Sequence, residues 1–317
     1  MSLYNQTKDV NNDHIINLLP IELFQEIFER CVLVIQLKLI QTCKYFNQNL
    51  KITDFYNIER RFKHLLTDDI LNMYPYINQL DLSFNEQVTD EGIKHLNLHT
   101  LNLNCNTKIT DDGIKHMKLQ ILFVARSSNI TDAGINHLNL KQLNASRNLK
   151  ITDAGISHMV NLSALNAYEN TNITDVGISH MMNLHLLDAS YNENITDAGI
   201  AHLSLRKLYA ACNENITDNS IRLMKNLYLL DATRNEKITD DGIKDLSLEQ
   251  LYVNENNKIT DVGITNLKLK VLTVNGPCRI TDKGLQDMNL YRICSHGNKN
   301  ITDAGVKHMT NLRSFYK

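Results

Sequence analysis

The triplet Ile-Thr-Asp, once Val-Thr-Asp, returns eleven times in phase along this chain. The spacing is 21 or 22 residues, with threonines at Thr89, Thr110, Thr131, Thr152, Thr174, Thr196, Thr217, Thr239, Thr260, Thr281 and Thr302. A unit this short cannot bury its own apolar face, so neighbouring units must stack and share one core. Stacked units make a solenoid, and a solenoid presents one long surface of aligned positions. The period constrains architecture more than any other feature of the chain, and it leaves the partner of that surface open.

Aligned on the threonine, each unit reads L-x-x-L-x-(L/A/V)-x-x-N-x-x-I-T-D-x-G-I-x-H-(L/M), as in Leu98, Leu101, Leu103, Asn106, Ile109, Thr110, Asp111, Gly113, Ile114, His116 and Met117. Leu101 and Leu103 alternate with period two, which predicts a short strand with one buried face, and stacked copies should pair in parallel. The asparagine after each strand can satisfy backbone groups left unpaired where the chain turns. Thr-Asp offers N-cap chemistry for a short helix whose inner face carries Ile114 and Met117. Glycine three residues after the threonine weakens a helix by ~1 kcal/mol relative to alanine, so its return in ten of eleven units implies close backbone packing there. Ser220 is the exception. The 22-residue units carry one extra residue after the helix, as in Met159-Val160-Asn161-Leu162.

This pattern resembles the leucine-rich repeat family, in particular its cysteine-containing subclass, with asparagine at the position where that subclass prefers cysteine and with a shorter unit. The resemblance covers residues 77–317 and implies an α/β fold: a right-handed solenoid with a curved parallel sheet on its concave face and abbreviated helices on its convex face. About eleven units are expected, with a half unit at the C-terminal end. Residues 1–14 are expected to be loosely ordered, residues 15–50 to form a small helical domain, and residues 51–76 a helical joint holding a degenerate first repeat at Leu66-Thr67-Asp68. Ile52-Thr53-Asp54 is out of phase and reads as coincidence.

Within the helical domain, Pro20 suits a first helical turn, and Leu23, Ile27 and Phe28 follow at helical spacing. The same residues resemble an F-box. Its opening L-P-x-E-L matches Leu19, Pro20, Glu22 and Leu23, its I-F matches Ile27 and Phe28, and its C-(R/K)-x-(W/F) matches Cys43, Lys44 and Phe46. Val32-Leu33-Val34-Ile35 departs from the proline and aspartate usual in the middle of that family. The resemblance implies adaptor contact through Leu19, Pro20, Leu23, Ile27, Phe28, Cys43 and Phe46, hence a substrate receptor joined by a Skp-type adaptor to a cullin complex, without catalysis of its own. A helical cap on the first repeat, or a scaffold or decoy that has lost the adaptor, is the competing expectation.

Substrate should meet the variable outward columns of the strands. Tyr168, Tyr191, Tyr209 and Tyr252 supply aromatic area there, and Arg126, Arg147, Arg234, Asp188 and Asp231 supply charge, the composition of protein-binding hot spots. Drift at unconstrained surface positions is the bland alternative. His95, His116, His137, His158, His180, His202 and His308 share one column, but no cysteine or carboxylate column adjoins it to complete a zinc site. No cofactor or metal is expected, and no P-loop, GxSxG or HExxH motif suggests an enzyme.

A net charge of -2 over 317 residues argues against the basic footprint of a nucleic-acid binder. No apolar run reaches the roughly 18 residues that span a bilayer, so no membrane partner is expected. Six cysteines without a CxxC pair read as reduced thiols, and the polar start lacks a secretory signal, which predicts a cytoplasmic or nuclear protein. Asn-Ile-Thr recurs at Asn129, Asn172, Asn194, Asn215 and Asn300, at one repeat position, so repeat chemistry accounts for it without glycosylation. The chain should be monomeric outside its complex, with the open sheet edge near Phe315 as a site for self-association.

Overall fold

The computed structural model describes residues 21–42, 48–127 and 129–317 of the chain. Among these residues two helices come first, α1 (Ile21–Glu29) and α2 (Leu33–Thr42). Thirteen strands follow among the described residues. They begin with β1 (Asp54–Phe55), β2 (Gln79–Asp81), β3 (Thr100–Asn102), β4 (Ile121–Phe123), β5 (Gln142–Asn144) and β6 (Ala164–Asn166). They continue with β7 (Leu186–Asp188), β8 (Lys207–Tyr209), β9 (Leu229–Asp231), β10 (Gln250–Tyr252), β11 (Val271–Thr273), β12 (Arg292–Cys294) and β13 (Ser314–Tyr316). All thirteen pair in sequence order in one open parallel sheet. This is the leucine-rich-repeat solenoid, with short helical turns such as Asp111–Ile114 opposite the sheet.

The sheet starts inside the segment read as a helical joint. Asp54 and Phe55 pair with Gln79 and Leu80, and the Thr53 carbonyl accepts from the N–H groups of Asn78 and Gln79. The out-of-phase Ile52-Thr53-Asp54 therefore leads into a strand rather than a helix. Thr67 caps Asp68–Asn72 through the Ile70 N–H, in the manner of a first repeat.

Strands β2 to β12 turn their middle residue and the residue just after the strand inward; in the β3 unit Leu101 and Leu103 are fully buried together with Ile109 and Ile114. The helices are held to about one turn, and in the 22-residue units an extra turn at Val160-Asn161 absorbs the added residue. Every asparagine of the post-strand column is buried. The amide of Asn213 donates to the carbonyls of Ala189, Asn192 and Ile195 in the preceding unit, at 3.1, 2.6 and 3.0 Å, while its oxygen accepts the Asn215 N–H at 3.0 Å. A buried carbonyl left without a partner costs about 1–3 kcal/mol, so each asparagine closes a local deficit between two units. Where the column lacks asparagine, Ser127 donates to the Asn106 carbonyl, and Cys278, one residue past the column's Pro277, donates its thiol to the Val253 carbonyl. The Asn-Ile-Thr asparagines form a second, outer row, as in Asn172 to Leu149 and Asn194 to Thr171.

The aspartate of the triplet does more than start a helix. Asp153 accepts the Thr174 N–H at 2.8 Å on Oδ1 and the Thr174 hydroxyl at 2.6 Å on Oδ2, one unit along the chain. The same paired contact runs from Asp68 to Thr89 and through every unit to Asp282 and Thr302. This carboxylate explains the glycine: a Cβ at Gly177 would lie 2.2 Å from Asp153 Oδ1. The ~1 kcal/mol that alanine would gain in helix propensity is outweighed by the loss of two bonds to a charged acceptor, at about 1.5–3 kcal/mol each. Ser220 fits because its own hydroxyl donates to Asp197 Oδ1.

Gly177→Ala should therefore destabilise the solenoid by about 2 kcal/mol or more in urea unfolding, and Gly177→Ser by less. In the Asp153→Ala background the cost of Gly177→Ala should largely vanish, a coupling of about 1–2 kcal/mol in a double-mutant cycle. Equal costs in both backgrounds would show that the carboxylate is not what excludes the methyl group.

Candidate protein-interaction surface

Outward positions of the sheet fall into three ranks that run the length of the solenoid. The first rank is the last residue of each strand, and the register Asp188↔Tyr209↔Asp231↔Tyr252 aligns it. The second rank lies two residues further on and contains Tyr168 and Ser190. The third has left-handed backbone, with φ between 50 and 60° at Phe84, Cys105, Arg126, Arg147, Glu169, Tyr191, Cys212, Arg234 and Glu255. At Gly276 and Gly297 the same turn closes without a side chain, at φ 73°. A left-handed residue with a Cβ costs roughly 1–2 kcal/mol, so nine side chains are carried at positions where the turn alone would favour glycine.

The structure joins four of the nine concave-face candidates with three neighbours. Arg147 donates to Glu169 at 2.5 Å and to the Tyr168 hydroxyl at 3.4 Å, and stacks 5.1 Å from the Tyr168 ring centroid. Tyr168 meets Tyr191 edge-on at 5.3 Å. Tyr191 interacts with the Cys212 thiol, which raises its hydroxyl pKa, and with Arg234. Arg234 forms a two-pronged bond to Glu255 at 2.9 and 2.7 Å. The arginine bonds hold Glu169 and Glu255 below the usual carboxylate range. Neither glutamate was singled out from the sequence, although opposite charges one unit apart in one column were there to be read. Arg126 stands exposed in the third rank, and the Tyr252 hydroxyl donates to Gln250 at 3.3 Å.

Asp188 and Asp231 flank Tyr209 in the first rank. Burial pushes both carboxyls above their usual range, and Asp231 adds to the effect at Asp188. Burial also raises the Tyr209 hydroxyl. Each aspartate accepts one backbone N–H two residues on, from Ser190 at 3.1 Å and Thr233 at 2.9 Å. Asn102, Asn144 and Asn166 make the same bond in the same rank at 3.0, 3.0 and 2.9 Å without a charge. The third aspartate of the rank, Asp81, is answered by Lys63 at 2.5 Å. Asp188 and Asp231 are thus ionisable groups at positions where a neutral amide meets the structural need, and a cationic side chain from outside would stabilise them both.

The histidine column is structural where its contacts are defined: His137, His158 and His308 bond the carbonyls of Met117, Leu138 and Met288 in the preceding unit, at 3.2, 2.7 and 3.0 Å. No cluster of three potential metal ligands occurs among the described residues.

At the N-terminal end, Phe28 is buried in the core that also holds Leu50 and Ile52. Gln25 exchanges two 2.9 Å bonds with the Lys51 backbone and ties α1 to the solenoid. Leu23 and Ile27, one helical turn apart, are 39% and 49% exposed, and Val32 and Ile35 are 67% and 47% exposed. Leu19, Pro20, Cys43 and Phe46 lie outside the described residues.

A family model described as a leucine-rich repeat matches residues 75–96 and 94–117. No curated protein matches the chain. Among solved structures, the chain is similar to an internalin, inlF, from Listeria monocytogenes, at 22% identity and a TM-score of 0.52 over 79% of this chain and 88% of that one. It is also similar to a chain of the yeast Rad7–Elc1 complex, at 17% identity and a TM-score of 0.56 over 93% and 92% of the two chains. At these identities the likeness is one of fold. Among the described residues, no helix is long and apolar enough to cross a membrane.

Because Asp188 and Asp231 bind protons more tightly folded than unfolded, they should lower stability as pH rises from their unfolded pKa of about 4 through their raised folded values. Asp188→Asn keeps the bond to Ser190 and should raise the Tm at pH 7 while flattening its pH dependence between 4 and 7. Melting curves in which Asp188→Asn is less stable than the parent at pH 7 would contradict this.

Proposed function

We propose that the chain is the substrate-recognition subunit of a cullin-RING ubiquitin ligase, with its N-terminal helices on a Skp-type adaptor and its concave sheet on a protein substrate. The observation that carries the reading is the apolar surface of α1 and α2. Leu23, Ile27, Val32 and Ile35 are left exposed on a helical pair whose other side already packs on the solenoid. Four exposed apolar residues on so small a unit favour a protein partner over water. The F-box resemblance names that partner, with contact through Leu23 and Ile27 and, by the motif, Leu19, Pro20, Cys43 and Phe46. Phe28 would act from beneath, by holding α1 in place. The yeast relative of similar fold is itself described in complex with a second protein, Elc1, which agrees with a solenoid of this kind serving as one part of an assembly.

On the substrate side, the aromatic and charged ranks around Tyr168, Tyr191, Tyr209 and Tyr252 are suited to a protein segment bearing a cation for Asp188 and Asp231. Arg147 and Arg234 then serve mainly to hold Glu169, Tyr168 and Tyr191 in place, and Arg126 remains for direct contact. A second reading, a scaffold whose helices only cap the first repeat, draws on Phe28 and on the Gln25 bonds to Lys51, which are capping contacts.

Co-expression with a Skp-type adaptor separates the two. The full chain should co-purify with the adaptor and, through it, a cullin, and Leu23→Asp/Ile27→Asp should reduce retention roughly tenfold or more while leaving the solenoid's melting transition in place. An adaptor that ignores the full chain, or binds the double variant as well as the parent, would leave the scaffold reading standing.

A further inference from the structure

On the edge of the solenoid where the strands start, a groove of about 580 Å³ is lined by His185, Arg206, Lys207, Lys225, Tyr228 and Glu249, among others. We propose that it receives a phosphate group carried on an extended segment of a protein partner. The inference rests on the reading of the solenoid as a receptor for a protein, and is independent of the adaptor.

Charge is the first argument. Arg206, Lys207 and Lys225 bring three permanent positive charges to one groove of a chain whose net charge is -2. The one acid in the lining, Glu249, is engaged by Lys270 at 2.9 Å. On the concave face, by contrast, Arg147 and Arg234 each have a glutamate of their own. Repulsion among three cations has a cost in the free protein, and a phosphomonoester, close to a dianion at neutral pH, removes it. Arg206 can offer a planar pair of N–H donors to two phosphate oxygens, with the lysines as point charges beside it.

Shape is the second. The Tyr228 ring lies 5.9 Å from the Arg206 guanidinium and 5.6 Å from the Lys207 ammonium, so one aromatic face gathers both cations. The groove also has the volume of a small-ligand pocket, large enough for a phosphate and the residue that bears it.

The surroundings decide between a single phosphate and a polyanion. Lys207 and Tyr209 share the outward face of β8, two residues apart and so roughly 7 Å along the strand. Asp188 and Asp231 flank Tyr209 in register. A nucleic-acid strand leaving the groove in that direction would set its next phosphates against two carboxylates. A peptide can instead place a lysine or arginine there, about two residues from its phosphorylated side chain. The surface thus selects a segment with a phosphate followed at short range by a cation.

The test uses the full chain and fluorescence anisotropy. The probe is a labelled peptide pool with phosphoserine fixed and lysine fixed two residues on, compared with the same pool unphosphorylated. The phosphorylated pool should bind roughly tenfold tighter, inorganic phosphate should compete with it, and Arg206→Glu/Lys207→Glu should abolish the preference. Arg206→Gln, which only removes charge, should weaken it in a protein that melts like the parent, and Lys258→Glu, outside the groove, should leave it intact. Equal binding of the two pools, a preference that survives the groove variants, or tighter binding of single-stranded RNA or of vesicles containing phosphatidylinositol phosphate would overturn the proposal. Loss of adaptor binding with the phosphate preference retained would count only against the ligase reading.

Discussion

The solenoid depends on a carboxylate that crosses from one unit to the next. From Asp68 to Asp282 each such aspartate receives a backbone N–H and a hydroxyl from the following threonine, and the space it occupies is open because the following helix carries glycine, or Ser220 after Asp197. Hydrophobic stacking alone would hold such units together but would tolerate sliding and rotation, since apolar contact is non-directional. Two short bonds to one carboxylate, with a glycine beneath, admit a single arrangement. The buried asparagine, four residues before the threonine, adds a second set of bonds between neighbouring units wherever it occurs, so those interfaces are pinned at two points beside the leucine core.

Much of this was legible in the sequence because the period aligns equivalent positions without any knowledge of coordinates. The strand leucines, the asparagine turn, the threonine cap and the outward ranks all lie where the spacing predicts them. The acceptor of the clamp was harder to see. In a periodic chain a residue has equivalent neighbours within its unit and one unit away, and Thr-Asp reads first as a local cap. The glycine pointed to close packing, but the atom that approaches it is a carboxylate oxygen rather than backbone. The first strand escaped notice because Asp54 and Phe55 lack the alternating leucines and sit out of phase. The ion pairs Arg147–Glu169 and Arg234–Glu255 do not stand out from composition, because each lies in a variable column and shows only as opposite charges one unit apart. Leu23, Ile27 and Phe28 look alike in the motif, and only packing separates the core residue from the two exposed ones.

Local cost and surface chemistry coincide on the concave side. Side chains occupy nine left-handed positions where Gly276 and Gly297 show that none is needed, and two half-buried carboxylates occupy a rank where asparagine makes the same backbone bond. Stability is commonly given up where a protein must recognise something else. These positions carry that signature, whereas His137, His158 and His308 of the histidine column, which invites a metal or a pH switch on paper, each bond a carbonyl of the preceding unit.

Because every clamp involves only adjacent units, the chain can in principle lose or gain a whole unit by recombination between its near-identical segments, and the two new neighbours would meet through the same aspartate, threonine, glycine and asparagine. Each such event would lengthen or shorten the sheet by about 4.8 Å and shift every downstream side chain by one place relative to those upstream. Recognition could then be re-composed by shuffling intact rows, faster than by point substitution and without passing through an unfolded intermediate. The clamp that makes each interface rigid is what would leave the molecule as a whole open to rearrangement.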